Sequence, residues 1–193
     1  MYKNPDPLPP TNSRLLVKRG GSSITRQIPK PTVIVDTREQ APFNFARFPN
    51  WIAGDRRGTL PVADYTIEGM EDRVALERKS LEDLIHCLAH DRLRFFRMCE
   101  KMTAFQWRAI IIEATYEDIK SDYAPLGFVQ AAHPNGISGS LDALEVKFGI
   151  PVIYTSRYKP LAEEKAASWL SKIFTYDHLE KNGMGRVLQE GDL

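Results

Sequence analysis

Beyond the first 31 residues, hydrophobic positions gather at Thr32-Val-Ile-Val35, a β-branched run ending on Asp36 that predicts a buried strand. Residues 37–58 have no such period. Pro42, Pro49, Gly54 and Gly58 punctuate them, and the stretch reads as irregular. Leu60–Ile67 and Arg73–Arg78 predict two strands joined by a turn at Glu68-Gly-Met-Glu-Asp72, a hairpin. Then the period lengthens. Leu81, Leu84, Ile85, Leu88, Phe95, Cys99 and Met102 recur at helical spacing and predict one long helix ending near Thr103. Ser80 is its expected N-cap, and Asp83 lies in its first turn, where a carboxylate suits the dipole. Arg108–Glu113 (RAIIIE) predicts another buried strand, 116–132 a short broken helix, and 140–148 a helix closed by Gly149. A strand over 151–155 and a helix over 160–174, with Pro160 in its first turn, complete the pattern. Strands alternating with helices in this order predict an α/β domain, a central mixed sheet flanked by helices on both faces.

Composition adds boundaries. The chain has 193 residues, 42% hydrophobic and 26% charged, enough for one core. No stretch approaches the roughly 20 apolar residues a membrane helix needs, and the first residues lack a signal-peptide core. The expected location is cytoplasmic. Cys87 and Cys99 fall in one expected helix, ~18 Å apart at helical rise, too far for a disulfide. Residues 1–31 hold six basic residues and one acidic, against a net charge of +1 for the whole chain. They also hold six of the 13 prolines, and read as an extended basic arm. Residues 175–193 are polar and read as a loose end.

Candidate chemistry lies between Asp64 and Asp83. Glu77 and Lys79, two apart on a strand, share one face, while Val74 and Leu76 take the other. An acid, twelve residues, then Glu-x-Lys at a strand end is a spacing suited to holding a divalent cation beside a lysine. Two carboxylates and a backbone carbonyl offer hard oxygens to Mg²⁺ or Mn²⁺. Such a cation polarises a phosphate and acidifies water, and a neighbouring lysine orients that water and stabilises developing charge. Asp36, ending the first strand, offers a third carboxylate or a supporting hydrogen bond. By itself this spacing also fits a solvated charged strand edge.

The surroundings sharpen it. V-D-T-R-E-Q (35–40), A-D-Y (63–65), E-R-K-S-L-E-D-L (77–84), I-I-E (111–113), H-P-N-G-I-S-G-S-L (133–141) and F-G-I-P-V-I-Y (148–154) resemble the XPF-type nuclease domain, whose signature is GDxnERKxxxD. The resemblance covers residues 32–174. It implies a restriction-endonuclease-like fold of the PD-(D/E)xK type and cleavage of branched or flapped DNA near single-strand/duplex junctions. It implies Asp64, Glu77 and the Arg78 carbonyl as metal ligands, Lys79 as catalytic lysine, and Asp36, Arg38, Glu39, Arg78 and Asp83 as further motif positions. Arg38 and Arg78 suit phosphate contact or holding the carboxylates, and Asp83 suits fixing Arg78 or Lys79.

Two departures stand out. Ala63 occupies the place of the family's glycine, which carries strain if that position needs positive φ. His90–Arg97 replaces the family's usual helix residues. Gly136-Ile-Ser-Gly139 has no second copy, so the chain reads as a minimal version without helix-hairpin-helix repeats, expected to bind DNA weakly alone and to form a homodimer. Arg94, Arg97 and Lys101 share a helix face that can track phosphates. The basic arm is either a DNA contact or a solvated tail. Phe43, Phe45, Phe48 and Trp51 are either core or a stack for an unpaired base. The expected function is a metal-dependent DNA endonuclease, structure-specific, in repair, recombination or replication. The alternatives are a non-catalytic DNA-binding scaffold of the same fold, or a restriction-type nuclease. The complete acid–acid–lysine set favours an enzyme.

Overall fold

The structure is a computed structural model and describes residues 16–127 and 132–185. Residues 1–15 of the expected arm, 128–131 of the expected broken helix and 186–193 of the expected loose end lie outside these.

A ribbon of β1 (Lys18–Arg19) and β2 (Ser22–Ser23) opens the described chain. A six-stranded mixed sheet follows, built from β3 (Thr32–Asp36), β4 (Gly54–Gly58), β5 (Tyr65–Ile67), β6 (Val74–Ser80), β7 (Trp107–Glu113) and β8 (Val152–Tyr154). Their spatial order is β4-β3-β5-β6-β7-β8. The β5–β6 hairpin and the β3–β5 pair are antiparallel; β3–β4, β6–β7 and β7–β8 are parallel. The helices are α1 (Leu81–His90), α2 (Arg92–Met102), α3 (Tyr116–Ile119), α4 (Pro134–Phe148) and α5 (Lys159–Lys181).

The sheet's two faces carry separate cores. On one, Val33, Val35, Tyr65, Ile67, Val74, Leu76 and Ile111 meet Ala162, Ala166, Ala167 and Leu170 of α5. Phe43, Phe45, Phe48 and Trp51 are buried in this core too, which removes them as a stack for an unpaired base. On the other face, Ala75, Ile110 and Ile112 meet Leu84, Ile85 and Leu88 of α1, Phe95, Cys99 and Met102 of α2, and Leu141 and Leu144 of α4. The expected three-layer arrangement is therefore the observed one.

Several elements differ from the pattern. The stretch over 37–58 contains β4, whose Gly-Asp-Arg-Arg-Gly sequence has no apolar alternation because it is a largely exposed edge. Its hydrogen bonds come from parallel pairing with β3, which periodicity does not report. The strand expected from Leu60 starts only at Tyr65. The single long helix is two, broken at Asp91, whose φ of −118° and ψ of 27° leave the helical region. The apolar spacing runs through this break because both helices bury the same side. Helix α4 starts at Pro134, six residues before the expected start at Ser140, with the His133 ring accepting the Asn135 N–H. Gly136 and Gly139 each cost about 1 kcal/mol in a helix. Burying Ile137, Leu141 and Leu144, at ~1.5–3 kcal/mol each, outweighs that.

The ends are folded as well. Helix α5 continues past 174, so 175–181 is not a loose end; Thr175 and Leu179 are buried. Leu179 packs with Val17 and Ile28 in a small third core. The Arg19 Nε donates to the Met184 carbonyl at 2.7 Å. Residues 16–31 are thus ordered against α5, not an extended arm. Arg73 binds Asp177 through both carboxylate oxygens at 2.6 and 3.2 Å and stacks on Trp107. Cys87 and Cys99 are both free thiols.

Candidate active site

The site forms where β3 and β6 end and the antiparallel β5 begins. Asp64, just before β5, is stitched into the sheet although it is outside the regular strand. Its N–H donates to the Leu76 carbonyl at 3.2 Å, and its carbonyl accepts the Asp36 N–H at 2.8 Å. To reach this position the chain turns at Ala63, which has φ of 63°. Among the described residues it is the one non-glycine residue in the left-handed region, and that costs roughly 1 kcal/mol. The Asp64 carboxylate then accepts the Arg78 N–H at 2.8 Å.

Strand alternation puts Glu77 and Lys79 on the α1–α2 face. Glu77 is buried, and its Oε1 lies 2.7 Å from the Lys79 Nζ. Burial disfavours the Lys79 charge, but the Glu77 carboxylate outweighs it and holds the ammonium above its ordinary range. The Asp64 carboxyl is pushed up to about 8, first by burial and then by the neighbouring Glu77 charge. One ammonium, Lys79, does not offset both neighbouring acids, and a divalent cation would bring the remaining positive charge. Among the described residues no group of three or more His, Cys, Asp or Glu side chains is placed to hold a metal. Two carboxylates plus a main-chain carbonyl are nevertheless a fitting set for Mg²⁺, which keeps several waters and shares substrate phosphates.

Asp36 is brought to the same cleft but its oxygens are taken. Oδ1 accepts the Arg38 N–H and Nε, each at 2.7 Å. Oδ2 accepts the Arg38 Nη2 at 3.0 Å and the Leu60 N–H at 2.7 Å. The Arg38 guanidinium, first by its hydrogen bond, holds the Asp36 carboxyl down at about 2. This geometry favours a clamp on Arg38 over a third metal ligand. Arg38 itself is exposed, with its Nη2 also donating to the Leu60 carbonyl at 2.7 Å.

Asp36, Arg38, Asp64 and Glu77 line a cleft of about 440 Å³ whose α2 side carries Arg94, Arg97, Met98 and Lys101. The three basic side chains that helical spacing grouped are thus set across from the carboxylates. A smaller space of about 200 Å³ adjoins it, lined by Glu77, Lys79 and Phe95 among others.

The sequence profile of the ERCC4 domain matches residues 35–166, more than half of the chain. The chain belongs to the ERCC4 domain family. This is a family of nucleases, and the fold agrees. XPF from Aeropyrum pernix superposes with a TM-score of 0.56 at 20% identity, over 80% of this chain and 69% of that one. The same protein in complex with DNA gives 0.54 at 20% identity, over 75% and 64%. The fold is therefore the restriction-endonuclease-like one. Among curated relatives, MJ1505 of Methanocaldococcus jannaschii, named as a candidate ATP-dependent RNA helicase, is 29% identical over 139 residues. DNA repair protein rad16 of Schizosaccharomyces pombe is 33% identical over 90 residues. These matches take in 71% and 45% of this chain but only 15% and 9% of the relatives' own length.

Within this ERCC4 domain two expected site residues stand elsewhere. The Arg78 side chain, expected to contact phosphate or to hold the carboxylates, points away from the cleft and is largely buried on the α5 face. Its Nε donates to Glu113 at 2.5 Å, its Nη1 lies 3.5 Å from Glu39, and the guanidinium covers the Phe43 ring. Odd–even alternation explains the reversal, since the neighbours Glu77 and Lys79 take the cleft side. Asp83 is exposed on the first turn of α1, where the Ser80 hydroxyl caps its N–H at 3.0 Å. It reaches neither Arg78, taken by Glu113 and Glu39, nor Lys79, taken by Glu77. Glu113 is the partner that reading along the chain missed. The signal was an acid closing the apolar run of a strand, Ile-Ile-Ile-Glu113.

Proposed function

We propose that this ERCC4 domain is a divalent-metal-dependent endonuclease that hydrolyses DNA phosphodiester bonds. Its substrate in this reading is branched DNA, a flap, fork or junction, met in repair, recombination or replication. One observation carries the reading: half-buried Asp64 and buried Glu77, with Glu77 paired to Lys79, face a basic side of α2 across one cleft. The likeness to an XPF whose structure contains DNA, and to a relative named for DNA repair, supports the choice of substrate.

Asp64, Glu77 and the Arg78 carbonyl would hold Mg²⁺ or Mn²⁺. A cation there supplies positive charge at the scissile phosphate and a lowered pKa for water. The Lys79 ammonium, held by Glu77, orients the attacking water and stabilises charge growing on the phosphate. Arg38, fixed by Asp36, presents its guanidinium to a phosphate oxygen. Asp36 serves as a positioning residue. Arg94, Arg97 and Lys101 follow the strand's phosphates. Four cations make a small footprint, and a homodimer would double it; sedimentation equilibrium at micromolar concentration, expected to give twice the chain mass, checks that part.

The deciding experiment offers flap, fork, four-way-junction, duplex and single-stranded DNA with Mg²⁺, with Mn²⁺ or with chelator. Metal-dependent cleavage is expected, strongest on branched substrates. Lys79→Ala or Asp64→Asn should lower the rate at least about a hundredfold while DNA binding persists. Undiminished cleavage by either variant overturns the mechanism. Binding of every substrate without cleavage by the unmodified protein would instead indicate a scaffold.

A further inference from the structure

Arg78, Glu113 and Glu39 form a charged cluster on the sheet face opposite the cleft. Their side chains are only 9%, 10% and 8% exposed. Burying an ion costs several kcal/mol, and a buried ion cluster seldom stabilises more than apolar side chains of the same size. Stability alone therefore does not account for three of them here. Their location does. The main chain of Arg78 supports the cleft from behind: its N–H holds the carboxylate of Asp64, a cleft-lining residue, at 2.8 Å, and its neighbour in the strand, Glu77, lines the cleft as well. Any slip of β6 at this residue moves both carboxylates together.

Glu113 ends β7 and stands opposite Ser80 in the parallel register, while Arg78 stands opposite Ile111. Glu113 thus reaches Arg78 along the diagonal, from the next strand. Glu39 comes from the third side. It follows Asp36 by three residues, and the Arg57 Nη1 ties the carbonyls of both, at 2.9 and 2.8 Å. The Phe43 ring, stacked on Tyr65, closes the cluster over the guanidinium. One side chain is therefore gripped by β7, by the loop after β3 and by the aromatic core.

We infer that Glu113, with Glu39, is a positioning residue for the active site: the two carboxylates lock the Arg78 side chain behind the sheet and so fix the β6 main chain that sets Asp64 and Glu77 for a divalent cation. This rests on the metal-dependent reading above. Neither glutamate touches DNA or the cation. Both act through Arg78.

The test titrates Mn²⁺ by calorimetry, without DNA, into the unmodified protein, Glu113→Ala and Glu113→Gln, then measures single-turnover cleavage at saturating DNA. Glu113→Ala should bind Mn²⁺ about tenfold more weakly and cleave at least about tenfold more slowly, with DNA affinity unchanged. Glu113→Gln keeps an oxygen for the Arg78 Nε–H and should recover most of both. A second variant, Arg78→Met with Glu113→Met and Glu39→Gln, removes all three charges, leaves no buried carboxylate unpaired and so secures folding. It should match or exceed the unmodified protein in thermal stability yet share the Mn²⁺ defect. Unaltered Mn²⁺ affinity in folded Glu113→Ala or in the triple variant overturns the brace and leaves the metal-dependent reading standing. An unmodified protein that binds no Mn²⁺ and cuts no substrate overturns both.

Discussion

Asp64 is where residue-scale physics is most exposed to measurement. Its carboxyl, ordinarily near 3.8, is raised to about 8 by burial and by Glu77. The folded state therefore holds a proton that the unfolded chain releases near pH 4. Stability in chelator should fall as pH rises from about 4 to 8, by up to roughly 1.4 kcal/mol per pH unit. Asp64→Asn keeps an oxygen for the Arg78 N–H and removes the charge. We expect this variant to melt above the unmodified protein at pH 8 in chelator, with the gap closing toward pH 4. Thermal unfolding at the two pH values checks it; an equal gap at both removes the electrostatic explanation. Ala63 belongs to the same scale. Sequence comparison with the family's glycine raised the question of positive φ, and the left-handed turn answers it.

At the scale of elements, β6 shows what alternation alone can decide. Three consecutive residues, Glu77-Arg78-Lys79, divide between two faces because successive side chains on a strand must. The pair facing the cleft was legible; the partner of Arg78 was not, because Glu113 lies 35 residues away on a neighbouring strand. Helix α2 shows the converse. Its Arg94, Arg97 and Lys101 could be grouped by spacing, yet only the break at Asp91 and packing against the sheet set them beside Asp64 and Glu77. If these side chains neutralise phosphates, each should contribute about one to the slope of log affinity against log salt. We expect Arg94→Gln with Arg97→Gln, made in the Lys79→Ala background, to lower that slope by about two. Fluorescence anisotropy across a salt series measures it, and an unchanged slope would detach α2 from the DNA.

At the scale of the molecule, the two ends of the described chain hold each other. Val17, Ile28 and Leu179 form a core of their own. Leu179 is fully buried, so Leu179→Ala should cost about 2–5 kcal/mol in urea unfolding. A change under about 0.5 kcal/mol would restore the view of this segment as a loose end. The amino-acid sequence determined the α/β class, the strands with apolar faces, and the shared strand face of Glu77 and Lys79. These features are written in short periods and in side-chain chemistry that a local window contains. Tertiary structure decided the edge strand β4, the folded ends, the burial of the aromatic loop, and which charges meet across the sheet. Those depend on hydrogen bonds and contacts between residues far apart in the chain, and local periodicity carries no record of them.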